Sequence, residues 1–210
     1  MTTRDLILIG GGGHCRSCID VIEQEGKWRV AGVVDRVENL GTTVFGYPVI
    51  GEDNDLPALA RQYHWFLITL GQIKSPDKRR GLYAALKRAG AKLPAVVSPL
   101  AYVSPHASLG EGTIIMHRAT VNAGAQVGVN NIVNSCALIE HDATVGDHCH
   151  ISTGAILNGG VHVAEGSFFG SNAVTRQAIT IGSGCIIGAG AIVLSNVPDG
   201  TVFTGRRPNE

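Results

Sequence analysis

The sequence predicts a small parallel α/β domain followed by a parallel β-helix, and three observations carry that reading. The first is a hexad. Stepping by six from Val103 to Val193, fifteen of sixteen residues are large and apolar, with Thr175 the exception and no break in register. Four residues after each, 14 of 16 positions are Ala, Thr, Ser, Cys or Val, with Asn131 and Ile179 the exceptions. The second is composition: 28 of 210 residues are Gly and only 16% are charged, so the chain needs many tight corners and few solvated helices. The third is the alternation of strand-like and helix-like segments before Pro99.

Within residues 1–98, Asp5–Ile9 reads as a short buried strand, followed by Gly10–Gly13 and a helical stretch from about His14 to Glu25. Arg29–Asp35 and Trp65–Leu70 read as further strands. Leu56–Tyr63 and Pro76–Gly90 carry helical spacing, which makes a parallel sheet with crossover helices. Residues 99–210 form the second domain. There each hexad makes one flat side of a triangular coil, so 18 residues complete a turn. The first residue of a hexad points into the prism, and the fifth must be small because it packs near a corner. Glycines such as Gly110, Gly112, Gly124, Gly128 and Gly146 let the chain turn.

Lys plus Arg is 17 and Asp plus Glu is 17, a balance that argues against a nucleic-acid partner held by a basic face and against an electrostatic membrane anchor. No stretch approaches the roughly 20 apolar residues that span a bilayer. The N-terminus runs into a strand without the charged and apolar regions of a signal peptide. Five cysteines without disulfide spacing fit a reducing cytoplasm.

The glycine run opens a helix after a strand, so its N–H groups form a seat for phosphate. A strict G-x-G-x-x-G is not met, because Cys15 or Arg16 stands at the last position. Asp35 closes the second strand, where an acid can bind a ribose. No hydride-transfer domain follows, which argues against a dehydrogenase. Cys15 and Cys18 lie at the helix start, where a thiolate would be stabilised, although this spacing on a helix is common by chance. His148 and His150 flank Cys149, but Cys149 takes the small inward slot while the histidines point away, so no metal is expected.

The repeat, written [LIV]-G-x-x-[STA]-x, resembles the hexapeptide-repeat acyltransferases, whose coils are left-handed. Gly10–His14 (GGGGH) ahead of a βαβ unit, and Asn134–Asp142 (NSCALIEHD) in mid-solenoid, narrow the resemblance. It is to the acetyltransferases of sialic-acid-type sugars and of nucleotide-linked 4-amino-4,6-dideoxy sugars. The resemblance implies a Rossmann-like domain for the nucleotide sugar, acetyl-CoA in clefts between neighbouring prisms, and a homotrimer. It also implies N-acetylation of the 4-amino group of a sugar carried on a nucleotide, UDP foremost, for surface glycan synthesis. O-acetylation of a sialic-acid-like sugar and a catalytically silent scaffold are the alternatives.

His141 occupies the third position of its hexad and should project outward, with Gly159 one coil further on. An amine attacking a thioester needs a base for its proton and a donor for the oxyanion. The resemblance makes His141 the base, Asp142 the acid that orients it, and the Gly159 N–H the carbonyl donor. It assigns Gly12, His14, Asp35, Gly71 and Asn134 to the sugar nucleotide, and His150, Gly159, Gly170, Gly188 and Arg206 to the cofactor. Gln72 stands where many relatives have Asn, which leaves the contact at that point open.

Overall fold

The computed structural model describes residues 4–205. β1 (Arg4–Ile9) is an apolar run whose last four residues are fully buried, as a central strand covered on both faces requires. α1 (Gly13–Glu25) follows directly and stops at Gly26, which takes φ +68° and bonds back to the Ile22 carbonyl. β2 (Trp28–Val34) leads to a hairpin of β3 (Thr43–Val44) and β4 (Tyr47–Gly51). α2 (Leu56–Gln62), β5 (Trp65–Ile68) and α3 (Asp77–Arg88) complete this part. The sheet order is β3-β4-β2-β1-β5, parallel except within the hairpin. The expected strands and helices are present with ends shifted by one or two residues. β5 stops at Ile68 because Thr69 turns its hydroxyl onto the Ile9 and Gly10 carbonyls (3.1 and 2.7 Å), pulling the chain toward the glycine run.

The β-helix begins at Val96–Val97, which already pairs with Ile114–Ile115. From there two-residue strands pair in parallel with the strand 18 positions on, as Thr120 with Leu138 and Val121 with Ile139. The inward residues form one continuous core. Both exceptions to the small corner slot are accommodated. Asn131 is fully buried, its Oδ1 accepting from Cys149 N (2.5 Å) and its Nδ2 donating to the Gly146 carbonyl (2.9 Å); Ile179 is buried among apolar neighbours. Thr175, the polar residue in the inward row, accepts the Asn158 N–H at 3.0 Å.

The three faces of the prism differ. One carries polar outward residues: Ser108, Gln126, Thr144, His162 and Thr180. The second carries Tyr102, Thr120, Leu138, Ile156, Val174 and Ile192, an almost wholly apolar column. The third is covered at its start by α1. Val96, Ile114 and Ile132 point outward there, yet they are buried in one cluster with Cys15, Cys18, Ile19 and Ile22. The two parts therefore share a core.

Tight coil stacking explains one glycine outright. A Cβ at Gly170 would lie 2.6 Å from both Ala189 N and the Ile187 carbonyl of the next coil, and backbone cannot step aside. Gly170→Ala should lose about 1–3 kcal/mol by overpacking. Gly81→Ala, on α3 with open space around it, should gain up to about 1 kcal/mol. Chemical denaturation of the two variants checks the contrast.

Candidate active site

The N-terminal part holds a cleft of about 730 Å³ at the C-terminal ends of β1, β2 and β5. Gly10–Gly13 and His14 form its floor, Asp35–Asn39 one wall, Glu52 and Asp53 another, and Thr69–Gly71 with Lys78 the far side. Thus Gly12, His14, Asp35 and Gly71 are brought together as expected. The glycines divide by purpose. Gly10 takes φ +103° against Leu70, and a Cβ at Gly11 would meet the Asp35 carboxylate at 2.7 Å, so both are required by packing. A Cβ at Gly12 or Gly13 would touch no protein atom, and both positions open onto the cleft. Asn39 Nδ2 donates to Asp35 Oδ2 at 2.9 Å, which fixes the carboxylate at the cleft wall.

Behind His14 the cleft backs onto the β-helix. His150 is 7% exposed, its ring 6.4 Å from that of His14 and edge-on to Phe168 at 5.2 Å. Its Nδ1–H donates to the Gln72 carbonyl at 2.6 Å, which leaves Nε2 to accept from Asn134 Nδ2 at 3.2 Å. Burial, then the Arg79 charge, hold His14 down at about 3; burial, partly opposed by the Gln72 bond, holds His150 at about 4. Both rings are neutral near pH 7 and are weak bases. His150, expected to serve the cofactor, lies within the chain beside His14 and Asn134. Its outward strand position would face solvent on a bare prism, but here the N-terminal part covers that face. Gln72 is likewise turned out of the cleft: its Nε2 donates to the His148 carbonyl at 2.9 Å.

His141 stands at another corner of the prism, between the apolar and polar faces. It lines an open groove with Glu140, Asn158, Gly159, Arg176, Gln177 and Ala178. Its side chain is 64% exposed, and Nδ1 lies 2.9 Å from Asp142 Oδ2. The Asp142 hydrogen bond raises the His141 pKa above the ordinary histidine value, with the charges of Asp142 and Glu140 adding to it. Glycines make room on either side. A Cβ at Gly159 would sit 2.6 Å from His141 Nε2, and one at Gly124, a coil earlier, would collide with the Asp142 carboxylate. The Gly159 N–H donates to no acceptor among the described residues. His141 and Gly159 therefore line the same groove. Glu140, which sequence reasoning did not single out, accepts from Asn122 Nδ2 (2.9 Å) and from the His141 N–H (3.2 Å) and so props the base from behind.

Other candidates separate from these sites. Gly170 and Gly188 line neither the cleft nor the groove; coil packing accounts for Gly170. Arg206 lies outside the described residues. Cys15 and Cys18 are fully buried, and burial pushes Cys15 up to about 11 and Cys18 higher still, so the helix start does not yield a reactive thiolate. The Cys149 thiol faces the Ala164 carbonyl at 3.2 Å, while His148 and His150 bond elsewhere.

Residues 5–84 match the family described as the PglD N-terminal domain. The chain is 33% identical to the acetyltransferase domain of PglB from Neisseria gonorrhoeae FA1090, with a TM-score of 0.86 over 94% of this chain and 95% of that one. It belongs to the hexapeptide-repeat sugar acetyltransferases. The fold of this acetyltransferase is accordingly a left-handed β-helix behind a small α/β domain. The same Neisseria domain is known in complex with acetyl coenzyme A (34% identity, TM-score 0.85, 95% of each chain). PerB from Caulobacter crescentus, in complex with CoA and GDP-perosamine, is 32% identical with a TM-score of 0.86 over 94% of this chain and 92% of that one. Further crystal structures of the Caulobacter enzyme, with CoA and GDP-perosamine, carry Asn or Ala in place of a histidine. A comparison with curated protein sequences gave no match. Among the described residues no helix of the acetyltransferase is long and apolar enough to cross a membrane.

Proposed function

We propose that this acetyltransferase moves the acetyl group of acetyl-CoA to the 4-amino group of a nucleotide-linked 4-amino-4,6-dideoxy sugar destined for surface glycans. The observation that carries the reading is the pairing of a glycine-floored cleft with a carboxylate-bonded imidazole that shares a groove with Gly159. Asp142 accepts the Nδ1–H hydrogen bond of His141, so Nε2 is the base. As the amine nitrogen attacks the thioester carbon, its proton passes to Nε2 and the carbonyl oxygen gains charge, which the Gly159 N–H stabilises. Collapse breaks the C–S bond, and the imidazolium returns its proton to the departing CoA sulfur. The first α1 N–H groups seat the diphosphate, and Asp35 takes the ribose.

The site is read as shared within a homotrimer. Asn134 and His141 stand at opposite corners of the same apolar face, whose end residues Tyr102 and Ile192 are 56% and 61% exposed. Packing that face against a neighbour would bury the column and bring the cleft of one chain to the His141 of the next. The division of labour follows: residues 1–98 hold the sugar nucleotide and 99–210 the acyl donor. Five unpaired cysteines support a cytoplasmic enzyme.

The test is release of CoA thiol from acetyl-CoA across UDP-, GDP- and dTDP-linked 4-amino sugars and free sialic acids. UDP is the expected carrier, and GDP, present in the Caulobacter complex, is its main competitor. Activity only with sialic acids would overturn the amine reading, and no activity with any acceptor would favour a scaffold. Gly12→Val should leave folding intact, since its side chain meets no protein atom, yet raise KM for the sugar nucleotide by about tenfold or more by occupying the ligand's space. An unchanged KM would place the diphosphate elsewhere.

A further inference from the structure

Arg79 is 2% exposed and has no carboxylate partner among the described residues. Its guanidinium donates instead to oxygens of two segments. Nη1 reaches the Ile68 and Leu70 carbonyls (3.0 and 2.6 Å), and Nη2 reaches the Asn130 carbonyl and Oδ1 (2.9 and 2.7 Å). Ile68 and Leu70 bracket the strand end that becomes the inner wall of the cleft. Asn130, at φ +54°, is a corner of the β-helix. It bonds through Nδ2 to His148 Nδ1 at 2.9 Å, one coil on, and His148 in turn accepts Gln72 Nε2 on its carbonyl. The segment 68–72 is therefore fastened to the β-helix at both ends, by Arg79 to Asn130 and by Gln72 to His148 and His150.

A buried cation held only by neutral oxygens, with its Nε left without a partner among the described residues, is a poor means of stabilising a fold, since apolar packing of the same volume does as well or better. What a planar fork with fixed donors supplies is geometry. We propose that Arg79 is a positioning residue for acetyl transfer: it locks the cleft wall Thr69–Gly71 to the corner at Asn130 and thereby sets where the bound sugar meets the acyl-transfer face. The inference rests on the sugar-nucleotide reading of the cleft. The same charge helps keep His14 and His150 unprotonated, so the wall and the two rings behind it are tuned together.

The test compares Arg79→Met, Arg79→Lys and Asn130→Gly. The last keeps a residue tolerant of positive φ while removing the Oδ1 acceptor of Arg79 and the Nδ2 link to His148. Arg79→Met should raise KM for the sugar nucleotide about tenfold or more through misplacement of the wall, while KM for acetyl-CoA stays within about twofold. Arg79→Lys should recover part of the loss, and Asn130→Gly should move in the same direction by less. Hydrogen exchange without ligand should show faster exchange at residues 69–72 in Arg79→Met and Asn130→Gly. Should Arg79→Met fail to fold, Asn130→Gly and Arg79→Lys still decide. Folded variants with parental KM values and parental exchange at 69–72 would overturn the proposal, as would a loss of melting temperature alone. If the parental enzyme bound no sugar nucleotide but exchange at 69–72 still rose, the wall-fastening role would stand and the function assigned to the cleft would fall.

Discussion

The His141→Ala enzyme should turn over about 10²–10⁴-fold more slowly than the parent, the usual range for a positioned general base. KM for acetyl-CoA should change little, because the imidazole acts mainly on the transition state. Melting temperature should change little, since the side chain projects from the prism and is 64% exposed. The pH profile sharpens the assignment. The base works unprotonated, so kcat/KM falls as pH drops through the His141 pKa. That pKa is raised above the ordinary histidine value by Asp142, so the acid limb should lie above about 6.5. Asp142→Asn removes the acceptor that favours the imidazolium, so the limb should move to lower pH while turnover falls to an intermediate level. Near-parental turnover in a folded His141→Ala enzyme would end the mechanism. His150 is a poor substitute base, because burial holds it at about 4. Attack by an amine already neutral would then be the alternative to examine.

What the sequence shows and hides at these sites has physical reasons. The hexad is legible because each coil repeats the same packing problem, so the identity of an inward residue such as Ile139 or Val145 depends on its own rung alone. His141 and Gly159 are legible for the same reason: a fixed 18-residue step says which side chains stack. His150 shares that regularity, yet its environment is set by the N-terminal part lying over its face, which no local pattern encodes. Arg79 and Asn130 are unremarkable in sequence, because the bonds that join them to one another, like those from Gln72 to the β-helix, span 51 or more residues. The β3–β4 hairpin is missed because two residues are too few to show alternation and Pro48 interrupts the second strand. Asn131 breaks the corner rule harmlessly, since its amide bonds the next coil at Gly146 and Cys149.

The second large effect concerns ownership of the site. Two impaired variants, His141→Ala and Gly12→Val, assayed at sugar nucleotide well below the raised KM, should restore one another when co-expressed with different tags and purified as mixed trimers. In a shared site, the cleft comes from one chain and the base from its neighbour. In a trimer that contains both variants, one of the three sites joins an intact cleft to an intact base, so activity should return to about a third of parental. If cleft and base served one another within a chain, every site in the mixture would carry one lesion and activity would stay at the level of the separate variants. The apolar face supplies the control. Ile156→Arg places a charge in the middle of the column Leu138, Ile156 and Val174, where a neighbour is proposed to pack. It should yield monomers of 22.0 kDa by light scattering, each with a folded prism and an intact cleft. Those monomers should bind sugar nucleotide but transfer no acetyl group, because the cleft and the base stand at different corners of the prism. A fully active monomer would overturn the shared site and require the sugar to reach the His141 of its own chain.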